Sequence, residues 1–95
     1  MSSDEIQAQI EQGLKPPADL NVCVRALWFD ALGDWETAHN LVGDLDGSDA
    51  AWVHAYLHRK EGDLWNADYW YRRARKTRSA QTLAQEWQHI LNSLA

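Results

Sequence analysis

The sequence predicts an all-α protein built from antiparallel helical hairpins stacked as a short array. Three observations predict it. Apolar residues recur at i, i+3 and i+4 spacings along most of the 95 residues. The pairs Gly33-Asp34 and Gly62-Asp63 interrupt those stripes, each with a residue that ends a helix followed by one that caps the next. No stretch sustains the alternation of a strand, and β-branched residues are few. About six helices in one domain, residues 1–95, are expected, with N-terminal and C-terminal helices capping two central pairs.

The N-terminal helix falls in residues 1–15. Ser2 and Glu5 have capping-box spacing, and Ile6, Ile10 and Leu14 form a narrow stripe. Gly13 weakens its end and Pro16-Pro17 forbids its continuation, so it reads as a cap or a loosely docked arm. The first helical pair occupies residues 19–45. Asp19 is the expected N-cap. Leu20, Cys23, Val24, Leu27, Trp28 and Ala31 form one apolar row, and Val22, Ala26 and Phe29 a second, so this helix should be covered on two sides. Asp34 caps its partner, which presents Trp35, Ala38, Leu41, Val42 and Leu45 and is shortened by Gly43.

The turn Asp44–Asp49 leads to the second pair, residues 48–77. Ser48 or Asp49 is expected to cap a helix from Ala50 to Glu61, and Asp63 one from Leu64 to about Lys76, with Ala67, Trp70, Tyr71 and Ala74 facing inward. The C-terminal capping helix lies in residues 79–95. Ser79 should open it, and Leu83, Trp87, Ile90, Leu91 and Leu94 should cover the exposed end of the second pair. Asp44, Asp46 and Ser48 alternate like calcium ligands, but the spacing and late glutamate of an EF-hand are missing.

Composition narrows the function classes. The net charge of −5 argues against generic nucleic-acid binding. Residues 1–50 carry ten acids and two bases, whereas residues 51–95 carry four acids and seven bases. That asymmetry suits an acidic partner at the second half, or self-association as a symmetric homodimer, unless it only marks two solvated faces. Six tryptophans supply either a core or a sticky face. Cys23 is the sole cysteine and lies on an apolar stripe, so it reads as a small buried hydrophobe rather than a nucleophile. With no signal-peptide pattern and no long apolar run, a soluble, cytoplasmic protein with no membrane partner is expected.

The two glycine turns align as an internal repeat. ALGDWETAHNLV (Ala31–Val42) matches KEGDLWNADYWY (Lys60–Tyr71), with Ala38 and Ala67 where helices must approach closely. This pattern resembles the tetratricopeptide repeat (TPR), whose second helix begins Gly-Asp-aromatic-x-x-Ala, and RKEGDLWNADYWYRRA carries the match best. The glycines are 29 residues apart, against a family period of about 34, and no proline closes either unit. The resemblance implies stacked hairpins with a concave groove that holds extended peptides.

Trp52, Tyr56, Arg59 and Lys60 fall on the first helix of the second pair, where the resemblance places groove-lining residues. Aromatic platforms with two cations suit an acidic peptide or a C-terminal carboxylate, unless the last helix fills the groove. His54, His58 and Glu61 lie at i, i+4 and i+7 on another face of that helix. Two histidines at i, i+4 can share a metal ion, with Glu61 as a third ligand, but Ala55 stands where a metalloprotease needs glutamate. The competing expectation is a hydrogen-bonded polar cluster of His54, His58 and Glu61 with Tyr69, Trp70 or Arg73 across the turn. The cluster Arg72, Arg73, Arg75, Lys76 and Arg78, near Trp65 and Tyr69, has the composition of a single-stranded nucleic-acid site but also of a favourable helix C-terminus.

No nucleophile–base pair, phosphate loop or catalytic carboxylate pair has a convincing spacing. The sequence therefore reads as a non-enzymatic adaptor or scaffold binding a protein or peptide, with no cofactor. The alternative is a small ligand- or metal-binding protein centred on His54, His58 and Glu61.

Overall fold

The computed structural model describes residues 1–95 as six α-helices and no strand: α1 (Ser3–Glu11), α2 (Val22–Ala31), α3 (Trp35–Val42), α4 (Ser48–Glu61), α5 (Leu64–Arg73) and α6 (Leu83–Leu94). Helices α2 and α3 form one antiparallel hairpin and α4 and α5 the next, joined by the two Gly-Asp turns. The all-α array expected from the sequence is the observed architecture.

The internal repeat is visible in the backbone. Gly33 and Gly62 sit at φ 87° and 89°, in the left-handed region that glycine enters without steric penalty. The Asp34 N–H donates to the Phe29 carbonyl at 2.9 Å, and the Asp63 N–H to the His58 carbonyl at 3.0 Å. The Asp34 carboxylate then accepts from the Thr37 N–H, and that of Asp63 from the Asn66 N–H. Ala38 and Ala67 are fully buried, each allowing a second helix to approach the first.

Several termini differ from the expected ones. Asn21, not Asp19, caps α2, its side chain accepting from the Cys23 and Val24 N–H groups. Neither Ser48 nor Asp49 caps α4; Gly47 precedes it with no side-chain cap. Helix α6 begins at Leu83 behind a Thr82–Gln85 capping box rather than at Ser79. Helix α5 stops at Arg73, short of Lys76, because Arg75 adopts φ 61° and the Lys76 N–H closes back onto the Tyr71 carbonyl. Arg75 is the one non-glycine residue at positive φ, a conformation that costs a side chain about 1–3 kcal/mol.

Helix α4 is the centre of the molecule. Nine consecutive residues, Ala50 to His58, are buried, and α2, α3, α5 and α6 all pack on it. A helix covered on every side has no solvent face for its polar residues, which must find partners inside. Helix α6 lies across α4 and α2 rather than over the end of the α4–α5 pair. Helix α1 is docked, not loose: Ile6 is buried, and the Trp28 indole N–H donates to the Leu14 carbonyl at 2.7 Å. Trp35 reaches the Leu57 carbonyl and Trp87 the Leu27 carbonyl in the same way, each ring adding apolar area and one hydrogen bond. Cys23 is buried, and burial raises its thiol pKa to about 11, which favours the protonated thiol at neutral pH.

An added Cβ at Gly62 would meet no atom within 4 Å, so any cost of substitution there comes from backbone conformation alone. Gly62→Val is expected to lower unfolding free energy by about 1–3 kcal/mol in urea titrations. An unchanged midpoint would show that the turn does not need its glycine.

Candidate functional site

Two faces of α4 carry the residues singled out from the sequence, and they have different fates. On the first face, His54 and His58 are buried one turn apart. Helix α3 brings a third imidazole to them. His39 Nε2 lies 3.0 Å from His54 Nε2, and the three rings stand 4.7–5.0 Å apart, centroid to centroid. One ring nitrogen from each histidine falls within 4.8 Å of the other two.

The surroundings hold these rings still. Trp35 stacks on His39 at 4.9 Å and Trp70 on His54 at 3.9 Å. His58 Nδ1 is 2.7 Å from a Glu61 carboxylate oxygen, the arrangement in which Nδ1–H donates and Nε2 keeps its lone pair. Asn66 Nδ2 stands 3.4 Å from that Nε2. Gly43 does not need glycine for its φ; a Cβ there would press within 3.1 Å of the His39 carbonyl and 4.0 Å of its ring. His54 Nδ1 is buried with no partner, a defect worth about 1–3 kcal/mol that calls for an explanation.

Electrostatics favours the neutral form of two of the three imidazoles. Burial, then the neighbouring His58 and His39, push the His54 pKa down to about 4. Burial and His58 also lower that of His39. The result is at least two imidazoles that offer lone pairs rather than charge at neutral pH.

Parts of the expected polar cluster are not formed. Glu61 lies behind His58 as its hydrogen-bond acceptor and is not among the three converging donors. Tyr69 and Arg73 bond to each other at 3.1 Å, with the Arg73 guanidinium over the Trp70 ring, and hydrogen-bond to neither histidine. Of the expected partners on α5, Trp70 makes the link to α4, by stacking rather than by a hydrogen bond, and Asn66, which was not expected, adds a second contact. His39 was not legible as a partner from local spacing. Its signal lies in the repeat: it follows Ala38, the close-approach residue of a helix that packs against the next hairpin.

On the second face, α6 packs against Trp52, Tyr56, Arg59 and Lys60 and divides the surface, leaving Trp52 at one cleft and Tyr56 and Lys60 at another. Its Glu86 is buried inside the α6 apolar stripe and accepts from Arg59 Nη1 at 2.9 Å, the Tyr71 hydroxyl at 2.7 Å and the Trp52 indole at 3.2 Å. Arg59 also donates to the Gln81 carbonyl. Buried Asp30 on α2 takes Lys60 Nζ at 2.9 Å and the Tyr56 hydroxyl at 3.1 Å. Burial and the adjacent carboxylate push both phenols far above the usual tyrosine range, so they remain donors. Both cations expected to meet a peptide are thus engaged by the protein itself. No helix of the chain is long and apolar enough to cross a membrane.

In comparisons with protein-family models, curated proteins and solved structures, nothing matches this chain.

Two outcomes follow from these partners. Glu86→Ala leaves Arg59 and Tyr71 without their acceptor and should destabilise the protein by about 3–5 kcal/mol in chemical denaturation. His54 takes up its proton at about pH 4 in the folded state and near 6.5 when unfolded, so the unfolded chain binds more protons between those values. Stability should therefore fall as pH drops from about 6.5 toward 4, by about 3 kcal/mol from this group alone. The melting temperature of His54→Leu should be less sensitive across the upper part of that window, pH 6.5 to 5, before carboxylates protonate. Identical pH profiles for the two proteins would refute the assignment.

Proposed function

We propose that this protein binds a divalent first-row transition-metal ion through His39, His54 and His58. The observation that carries the reading is the convergence of three ring nitrogens, one per histidine, from two packed helices within 4.8 Å. Imidazole nitrogen suits zinc, copper, nickel and iron, and zinc fits a compact nitrogen site without geometric demands of its own. Two nitrogens bound tetrahedrally at ~2.0–2.1 Å from zinc lie ~3.3 Å apart, close to the His39–His54 spacing of 3.0 Å. The wider pairs, up to 4.8 Å, close by a shift of at most about 1.5 Å, and His39, half-buried on the short helix α3, is the ring with room to move.

Two features support the reading. The lowered pKa values of His54 and His39 keep lone pairs available at neutral pH, so an ion displaces few protons. Glu61 behind His58 matches the carboxylate–histidine pairing that orients metal-bound imidazoles. Three protein ligands leave a further coordination position for water or a small ligand.

A second reading, a protein-binding adaptor, draws on a different observation. Trp65 is 80% exposed on α5, with Leu64 and Tyr69 also exposed nearby. Together with the resemblance to helical repeats, this face favours docking of a protein partner, or of a second copy as a homodimer, on the outside of the second hairpin rather than on the face that α6 divides. A cytoplasmic setting goes with either reading, given the single buried thiol.

The test is metal-dependent melting. After chelation and desalting, zinc at about 100 times its Kd should stabilise the protein by about 2.7 kcal/mol, or roughly 10 °C in Tm. His39→Ala should remove that response while leaving a folded protein, because His39 is the least buried of the three. A wild-type Tm indifferent to zinc, copper and nickel would end the proposal, as would an equal shift in His39→Ala.

A further inference from the structure

We propose that the cleft between the end of α5 and helix α6 binds a small molecule carrying two or more phosphate groups. The cleft holds about 680 Å³, with Trp52, Tyr71 and Glu86 among its floor residues and Arg72, Arg75, Lys76, Thr77, Ser79 and His89 around it. It lies on the α6 side of α4, across the helix from His54 and His58, and does not depend on the metal reading.

The first argument is which cations are already used. The nine lysines and arginines include Arg59, paired with Glu86, Lys60 with Asp30, and Arg78 with Asp68. Arg73 lies on Tyr69 and Trp70. Lys15 and Arg25 are unpaired elsewhere on the chain, whereas Arg72, Arg75 and Lys76, which also form no ion pair although the chain has an excess of acids, come together around this cleft. The carboxylate in the floor does not cancel them, because Arg59, Tyr71 and Trp52 already occupy the Glu86 oxygens. A locally positive cleft is left on a protein of net charge −5.

The second argument is the backbone at Arg75. The corresponding turns after α2 and α4 carry Gly33 and Gly62 at positive φ, whereas this one carries arginine at φ 61°. Glycine would serve the fold better there. Arginine instead lines the cleft with a long cationic side chain, and strain retained at one position points to use of that side chain. Lys76 is placed without being neutralised: its Nζ lies 4.1 Å from the Trp52 ring centroid, an interaction that leaves its N–H groups free for a ligand.

The ligand class follows from this lining. Two guanidiniums and an ammonium match the oxygens of a phosphate chain, and Thr77, Ser79 and His89 add neutral polar groups. The volume exceeds the needs of a single phosphate. A single-stranded nucleic acid fits less well, since Trp52 is buried, with Lys76 over its ring and the His89 ring edge-on to it, and gives bases no stacking platform.

The experiment is calorimetric titration of chelator-treated protein at low salt with inorganic tripolyphosphate, ATP and a short oligothymidylate. Both phosphate compounds should bind with one-to-one stoichiometry. Equal affinities would support recognition of the phosphate chain alone, and tighter ATP binding would support a nucleotide as its source. Arg75→Gly should weaken tripolyphosphate binding by about tenfold while its melting temperature stays equal or rises, and Arg72→Gln should weaken it similarly. Absence of binding, unchanged affinity in both variants, or an oligonucleotide bound more tightly than tripolyphosphate would each overturn the proposal.

Discussion

Two buried carboxylates, Glu86 and Asp30, hold this fold together. Each is almost inaccessible to water, and each would be prohibitive there without partners. Glu86 ties α6 to α4 and α5 through an arginine, a tyrosine and a tryptophan, and Asp30 ties α2 to α4 through a lysine and a tyrosine. Glu86 thereby fixes the last helix against the second hairpin, and Asp30 fixes the first hairpin against the second.

Helix α4 has to satisfy polar residues in two directions. Toward α2 and α6 it does so with full charges and short hydrogen bonds. Toward α3 and α5 it relies on imidazoles that pack against one another and against indoles, and there one buried nitrogen, His54 Nδ1, finds no partner. The side facing α3 and α5 is thus the less completely satisfied of the two. Natural folds keep unfavourable polar burial where it is used.

What depended on near neighbours in sequence was legible. The six helices, the two Gly-Asp turns, the close-packing Ala38 and Ala67 and the buried Cys23 all follow from spacing within a turn or two. Caps were less legible: Asp19, Ser48 and Ser79 are good capping residues, but Asn21, Gly47 and Thr82 hold those positions, because packing sets where each helix starts. Glu86 gave no warning, since a lone carboxylate among apolar residues looks like the wet side of an amphipathic helix. Arg59 and Lys60 looked available because their acceptors come from α6 and α2, 27 and 30 residues away. The pair His54 and His58 was visible as a shared face, but His39 joins it only through the stacking of one hairpin on the next.

The placement of the tryptophans gives the molecule optical properties that divide along its structure. Trp28 is fully enclosed and Trp65 is 80% exposed, so their emission belongs at opposite ends of the usual indole range. Trp35 and Trp70 lie in ring contact with His39 and His54, where an imidazolium or a paramagnetic ion quenches an excited indole. The state of the three imidazoles is thus written into the intrinsic fluorescence of the chain, and no added dye is needed to read it.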